Sequence, residues 1–435
     1  TLPTSVRSWN PRFMDKLYAT TNPIGVLSEL LLGLLNGNCH VFHVSPVLSL
    51  IEMTTVRELG KLFGYQADRC GGITNPGGAM SNLVATVTAR NIQFPHLKEQ
   101  GLAGGPRLTL FVSEQSHYSF IKAAFATGIG SRQVISVPCD TKGRMRVDLL
   151  DGLVRASLDR GEQPFMVVAT AGTTVLGAFD PIEAIATLAQ TYNLWLHVDA
   201  SWGGNLIFSR KRGPALLRGT YQADSITINP HKMLGVPLQC SFLLTREARA
   251  LAQSNTAEAH YLFHEPDGDQ DANDYPVDLG ESSLGCGRRP DALKMFLAWK
   301  YYGTDGFEAR LDRALTNAQY LTGQLRKRSA QFRLVVEDPA SLNVCFWYIP
   351  LAVRYDQLEL TDPTEFRRRL GEATRSIHRQ LRQDGQIMID YSPLMVDSVQ
   401  LPDFFRAVVN PPNLTVVDLD FIVDEIERIG AMLDA

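Results

Sequence analysis

The chain has 435 residues, 45% hydrophobic and 20% charged, an ordinary globular composition with length enough for two or three domains. Its formal net charge is −4 and its pI about 6.2, which excludes the basic footprint of a nucleic-acid binder and a cationic face for anionic membranes. No apolar run reaches membrane-spanning length, and the opening TLPTSVRSWNPRF has no signal-peptide core.

Residues 1 to about 60 read as an irregular lead and two helices. The apolar run IGVLSELLLGLLNG carries Glu29, is too short to span a bilayer, and is expected to be a core helix. TNPGGAMSN (74–82) is a glycine turn leading into a helical pattern, SNLVATVTARNI. Free N–H groups at such a helix start suit a phosphate, although the match is neither a Walker loop nor GxGxxG, and by itself it is also an ordinary turn. From about 70 to 250, apolar runs recur: RLTLFVS (107–113), QVISVP (133–138), FMVVATAG (165–172), LWLHVDA (194–200), SITIN (225–229) and CSFLLT (240–245). They are apolar throughout rather than alternating, as strands buried on both faces are. Helical patterns such as PIEAIATLAQTYN (181–193) lie between several of them, so the rhythm predicts a mostly parallel sheet covered by helices.

Residues 264–285, HEPDGDQDANDYPVDLGESSLG, break the rhythm with an acidic, Gly/Pro-punctuated loop of a length that is functional or mobile. A helix pair is expected at roughly 290–330. FRLVVE, NVCFWYI, FFRAVVN and helical patterns near 364–384 and 416–433 then read as a smaller α/β unit. These shifts divide the chain into an N-terminal segment (1–60), a large domain (61–310) and a small C-terminal domain (311–435). The six cysteines (39, 70, 139, 240, 286 and 345) form no CxxC pair and are expected to be reduced thiols in a cytoplasmic protein. NLT at 413–415 fits a glycosylation sequon and is read as chance.

Open α/β sheets bind ligands at the carboxyl ends of their strands. Several polar groups fall there: His117, Thr173 and Thr174, Asp199, and Asn229, His231 and Lys232. A phosphate cradle, a strand-end aspartate and a strand-end lysine together suggest pyridoxal phosphate. The lysine can form a Schiff base, the aspartate can keep the pyridine nitrogen protonated, and a histidine can stack on the ring. Each residue also has a plain alternative. Lys232 could be a surface cation, Asp199 or His117 a helix cap, Arg406 half of a surface ion pair, and Asn229–Pro230 a turn. Their joint order and spacing argue against those alternatives.

The segments SEQSHYS (113–119), ATAGTTVLGAFDPIEAI (169–185), HVDASWGG (197–204), NPHK (229–232) and NVCFWYIP (343–350) resemble the group II pyridoxal-phosphate decarboxylases, glutamate and cysteine sulfinate decarboxylases in particular. The resemblance runs from about Pro11 to the end. Members of that family carry a further helical segment ahead of the point matching NPRFMDKL, which this sequence does not include. It implies an aspartate aminotransferase-like α/β fold (fold type I), with a mostly parallel seven-stranded sheet in the large domain and a small C-terminal α/β domain. It implies that Lys232 holds the cofactor, Asp199 meets the pyridine nitrogen, and His117 stacks on the ring. Gly78, Ala79, Asn229 and His231 would hold the phosphate, Thr173 would lie near the ring oxygen, and Arg406 of DFFRAVV would bind the substrate α-carboxylate. It further implies a homodimer with the active site at the interface and Gly287 of CGR near the partner's phosphate site, and no metal.

In that family a loop tyrosine is thought to protonate the α-carbon. The corresponding loop here is longer and more acidic: counting back from DLG gives Asn273, and a shifted alignment makes Tyr275 the acid. Without a tyrosine in reach, the carbanion could be protonated at the wrong carbon or react with oxygen. The segment that contacts the substrate side chain reads NGNCHVFHVSP; Asn38 matches the glutamate-type pattern, and His40 stands where relatives carry an aromatic residue. An imidazole beside an amide suits a distal acid, which favours glutamate, aspartate or cysteine sulfinate, while the plain alternative is that His40 fills the aromatic slot. The expected reaction is α-decarboxylation of such an amino acid to amine and carbon dioxide. The alternatives are decarboxylation-dependent oxidation, action on a non-acidic amino acid, and a non-catalytic interaction protein. The intact Lys232, Asp199 and His117 speak against the last.

Overall fold

A computed structural model describes residues 5–18, 20–257, 259, 261–263, 277–355, 358–396 and 399–433. The chain opens with a two-residue strand, β1 (Phe13–Met14), followed by helices Pro23–Leu35 and Pro46–Leu62, each with proline in its first turn, where the missing N–H is no loss. Seven strands then build the large sheet: β2 (Gly71–Asn75), β3 (Leu108–Ser113), β4 (Val134–Val137), β5 (Gln163–Thr170), β6 (Trp195–Ala200), β7 (Ser225–Ile228) and β8 (Ser241–Thr245). Their order is β2-β8-β7-β6-β5-β3-β4, and β8 alone runs against the rest. The mostly parallel seven-stranded sheet expected from the sequence is therefore present.

Both of its faces are covered, which explains the unbroken apolar runs. Along β5, Val167 and Ala169 join one buried cluster with Ile185 and Val198. Met166 and Val168 join the other, with Val84 and Ala89 of the helix Gly78–Gln93. β2 is the strand that the sequence pattern did not disclose. Its GGITN begins with two glycines, and a Cβ at Gly72 would collide with the Leu243 carbonyl of β8.

A second sheet follows: β9 (Phe332–Leu334), β10 (Asn343–Tyr348), β11 (Met388–Val396) and β12 (Val399–Val408), in the order β1-β11-β12-β10-β9. Phe13 and Met14 pair with Met388 and Ile389, so the lead of the chain is tied to its C-terminal part. Helices Pro363–Asp384 and Val416–Met432 cover this sheet through Ile377, Leu381, Ile422 and Ile426. The expected helix pair is the segment Ala292–Lys327, broken at Gly303, where φ is 68°.

One expectation is corrected. The helix Pro23–Leu35 is not a core helix within one chain: it buries Gly25, Ser28 and Leu32 and leaves Val26, Leu27, Leu30 and Leu34 exposed. Apart from Leu32, the buried positions are small, and most of the large apolar residues face outward. No helix among the described residues is long and apolar enough to cross a membrane.

Candidate active site

The parallel strands β3, β5, β6 and β7 deliver their carboxyl ends to one edge of the sheet. A cavity of about 180 Å³ opens there. Its walls include Gly78 and Ala79 from the helix start, His117 after β3, Asp199 at the end of β6, and Asn229, His231 and Lys232 after β7. Thr170, Thr174, Ser201 and Asn82 complete much of the rest.

Asp199 is 4% exposed. Its Oδ1 accepts the Ser201 backbone N–H at 3.1 Å, and its Oδ2 accepts Asn82 Nδ2 at 2.9 Å. Burial alone would raise its pKa. Hydrogen bonding from Ser201 and the positive charge of Lys232 outweigh it and hold the carboxyl below the usual range, so it is ionised at neutral pH. Lys232 is partly buried; burial lowers its pKa, and the Asp199 charge partly offsets this. Its carbonyl accepts Asn410 Nδ2 at 3.2 Å, fixing the turn that carries it.

At the other end, the helix Gly78–Gln93 begins with no side-chain cap, and among the described residues the N–H groups of Gly78 and Ala79 meet no acceptor. Gly78 has to be glycine: a Cβ there would stand 2.6 Å from Asn229 Nδ2 and 2.8 Å from Ser201 Oγ. Asn229 Oδ1 is buried without a partner. Two backbone donors, the helix dipole and the Asn229 Nδ2 beside Gly78 thus meet in one corner, the chemistry of an anion site. His231 Nδ1 lies 2.7 Å from the Cys240 carbonyl, to which Nδ1–H donates; burial, then the Lys232 charge, push its pKa down to about 4. His117 Nδ1 accepts the Ser119 N–H at 3.3 Å, and burial lowers that pKa too.

Four residues expected at the site lie elsewhere in the single chain. Thr173 turns away: its Oγ1 accepts the Ala178 N–H at 3.1 Å within a tight turn, and Thr170 and Thr174 face the cavity instead. Asn38, His40 and Gly287 are held on the segments 38–40 and 280–288, away from this cavity. Asn38 Oδ1 accepts the Arg288 N–H at 2.8 Å, and the His40 carbonyl accepts the Gly280 N–H at 2.8 Å. Gly287 lines a cavity of about 330 Å³ with Thr74 and Asn75. A buried ion pair, Arg288 with Glu52, knots this region together; Arg288 also donates to the carbonyls of Cys39 and Thr74.

Arg406 does not line the cavity but abuts its wall. It donates to the Thr174 carbonyl at 3.2 Å and the Asp15 carbonyl at 2.9 Å, and pairs with Asp390 at 2.8 Å, while its Nε is buried without a partner. Tyr275, together with Asn273, lies outside the described residues.

One site residue, Asn82, and one residue that supports the site wall, Asp180, escaped the sequence reading. Asn82 sits one helical turn after Gly78, so the same helix face carries both; that i,i+4 spacing was the available signal. Asp180, buried in the turn after β5, accepts the N–H of Met145 at 2.6 Å and of Thr170 at 2.7 Å. Burial raises its pKa to about 7. Nothing local in GAFDP marks it, because its partners lie on other segments.

Residues 1–349 match the pyridoxal-dependent decarboxylase conserved domain. An L-aspartate decarboxylase of Metarhizium robertsii is 44% identical over 413 residues, which is 94% of this chain and 77% of that protein. The crystal structure of mouse CSAD superposes with a TM-score of 0.90 at 36% identity, over 98% of this chain and 85% of that one. The structure of Oryza sativa TDC with PLP and tryptamine aligns with all of this chain and 86% of its own, at a TM-score of 0.88. At 22% identity it speaks for the fold alone. The architecture is the aspartate aminotransferase-like fold type I that the sequence motifs implied.

Proposed function

Because the chain belongs to the pyridoxal-dependent decarboxylase family, we propose that it removes the α-carboxylate of a small acidic L-amino acid, at a site that two copies of the chain complete together. The observation that carries this reading is the meeting of Lys232, Asp199 and an open helix N-terminus in one cavity.

Pyridoxal 5′-phosphate is the cofactor, and the cavity fits it. The Asn229 Nδ2 donor, the two free N–H groups and the space kept open by Gly78 suit a phosphate; the ionised Asp199 suits a protonated ring nitrogen; and the Lys232 amine suits an aldehyde. When bound, the group supplies an electron sink for the pair left behind as carbon dioxide departs. Lys232 would anchor it, with His117 against the ring and His231 near the phosphate. Asp199 would hold the proton at the ring nitrogen. Arg406 would bind the substrate α-carboxylate and so choose the bond that breaks, releasing part of its present pairing with Asp390 and the Thr174 carbonyl. With its pKa lowered by burial, Lys232 gives up a proton at Nζ more readily than an exposed lysine does. Tyr275 would deliver the proton to the α-carbon.

An acidic substrate is supported by the likeness to an L-aspartate decarboxylase and by the amide and imidazole of Asn38 and His40. Those two and Gly287 lie away from their own chain's cavity, and the helix Pro23–Leu35 exposes Val26, Leu27, Leu30 and Leu34. A homodimer would cover that face and bring the cluster to the neighbouring site. We place the protein in the cytoplasm, in keeping with its six unpaired cysteines.

Aspartate, glutamate and cysteine sulfinate, tested beside neutral amino acids with carbon dioxide, amine and peroxide measured together, should give amine and carbon dioxide in equal amounts for at least one acid. Turnover confined to neutral amino acids, or peroxide and aldehyde in place of amine, would overturn the assignment. Gly78→Ala should weaken cofactor binding by about 1–3 kcal/mol, the usual overpacking penalty, measured by titrating the apoenzyme with the cofactor.

A further inference from the structure

Behind Asp199 stands a run of buried side chains whose hydrogen bonds all point one way. It starts at Trp195 Nε1–H, which can only donate and which meets Ser225 Oγ at 2.8 Å. The other neighbour of that oxygen is His197 Nδ1, also at 2.8 Å. A hydroxyl oxygen can accept twice, so the indole proton alone leaves open whether Ser225 donates to Nδ1 or accepts from it. Nε2 lies 3.2 Å from Asn82 Oδ1, with Thr227 Oγ1 farther off at 3.4 Å. Asp199, a carboxylate that only accepts, orients the amide: Asn82 Nδ2 donates to Asp199 Oδ2 at 2.9 Å and Ser119 Oγ at 3.0 Å, so Asn82 Oδ1 takes the proton of the neutral imidazole from Nε2 and leaves Nδ1 to accept from the Ser225 hydroxyl. A donor-only group at one end and an acceptor-only carboxylate at the other therefore agree on one direction for the hydroxyl, the tautomer and the amide.

The sequence builds this chain economically. Trp195, His197 and Asp199 alternate along β6 and share a face. Ser225 pairs with His197 in register on β7. Asn82 comes from the helix whose first N–H groups face the phosphate corner, one turn further on. The links are buried: Ser225 and His197 fully so, Asn82 to 1% exposure and Trp195 to 7%. Burial pushes the His197 pKa down to about 4, so the ring stays neutral beside the carboxylate.

We propose that Trp195, Ser225, His197 and Asn82 are positioning residues that hold Asp199 in one rotamer and stabilise its charge, so that it keeps the cofactor's ring nitrogen protonated. Aligned donors ending on Oδ2 add their dipoles in favour of the negative charge. The opposite direction would turn Asn82 Oδ1 toward the carboxylate and repel it. The proposal rests on the reading of Asp199 as the partner of the ring nitrogen.

The test uses holoenzyme carrying ¹⁵N-histidine and pyridoxal phosphate labelled with ¹⁵N in its ring. Wild type should show a protonated ring nitrogen and His197 with its proton on Nε2 and a bare Nδ1. Asn82→Ala and Ser225→Ala should show a growing fraction of unprotonated ring nitrogen as pH rises. Their kcat should fall by about tenfold or more, the scale of one lost hydrogen bond to a charged group, with KM little changed. A proton on His197 Nδ1 overturns the proposal, as does an Asn82→Ala enzyme with wild-type ring protonation and kcat. Should the variants fail to fold, the wild-type tautomer decides alone. An unprotonated ring nitrogen in wild type would instead overturn the role of Asp199.

Discussion

Lys232→Ala should lower carbon dioxide release by at least about 10³-fold, within the range attributed to removing a positioned proton-transfer group, with covalent anchoring lost besides. The structure gives the reason. Lys232 lies partly buried, beside a buried carboxylate, at the end of a strand whose turn is fixed through Asn410. Burial lowers its pKa, which favours the neutral, bond-forming amine, and the Asp199 charge partly offsets this. Since alanine removes the amine and adds no bulk, the fold should survive. Carbon dioxide release and a thermal melt on the same preparation separate the two effects, and near-normal release would remove Lys232 from the chemistry.

Asp199→Asn should cost about 10²–10³-fold in kcat while leaving the chain folded, the scale seen when one preorganised electrostatic partner is removed from an active site. The change keeps the shape and the Ser201 contact but removes the charge. An amide donor would then face the Asn82 amide, whose two N–H groups are already committed to Asp199 and Ser119. The ring nitrogen would lose its ionic partner and with it the proton. Steady-state kinetics with cofactor in excess checks this, and an unchanged kcat would contradict it.

Much of the large domain was legible because burial on both faces writes a strand as an unbroken apolar run. RLTLFVS, QVISVP, FMVVATAG, LWLHVDA, SITIN and CSFLLT all fall on strands. What escaped was hidden for physical reasons. β2 carries two glycines where the β8 backbone comes close, so it lacks the side chains that mark a strand. β11 contains Pro393 at a register shift between Ser392 and Leu394, which breaks its alternation. β1 is two residues long and finds its partner at the far end of the chain.

The site divides in the same way. His117, Asp199, Asn229 and Lys232 could be placed because strand ends are visible in sequence and such ends converge. Thr173 and Thr174 are adjacent in a turn, where no period says which one faces inward. Asp180 and Asn82 depend on partners dozens of residues away or more, so only the folded chain discloses them.

Borohydride reduction of the cofactor-loaded protein, followed by proteolysis and peptide mass mapping, tests the central claim most directly. The account predicts a single pyridoxyl label, on the peptide containing Lys232. A label on any other lysine, or none on protein that has bound the cofactor, would contradict it.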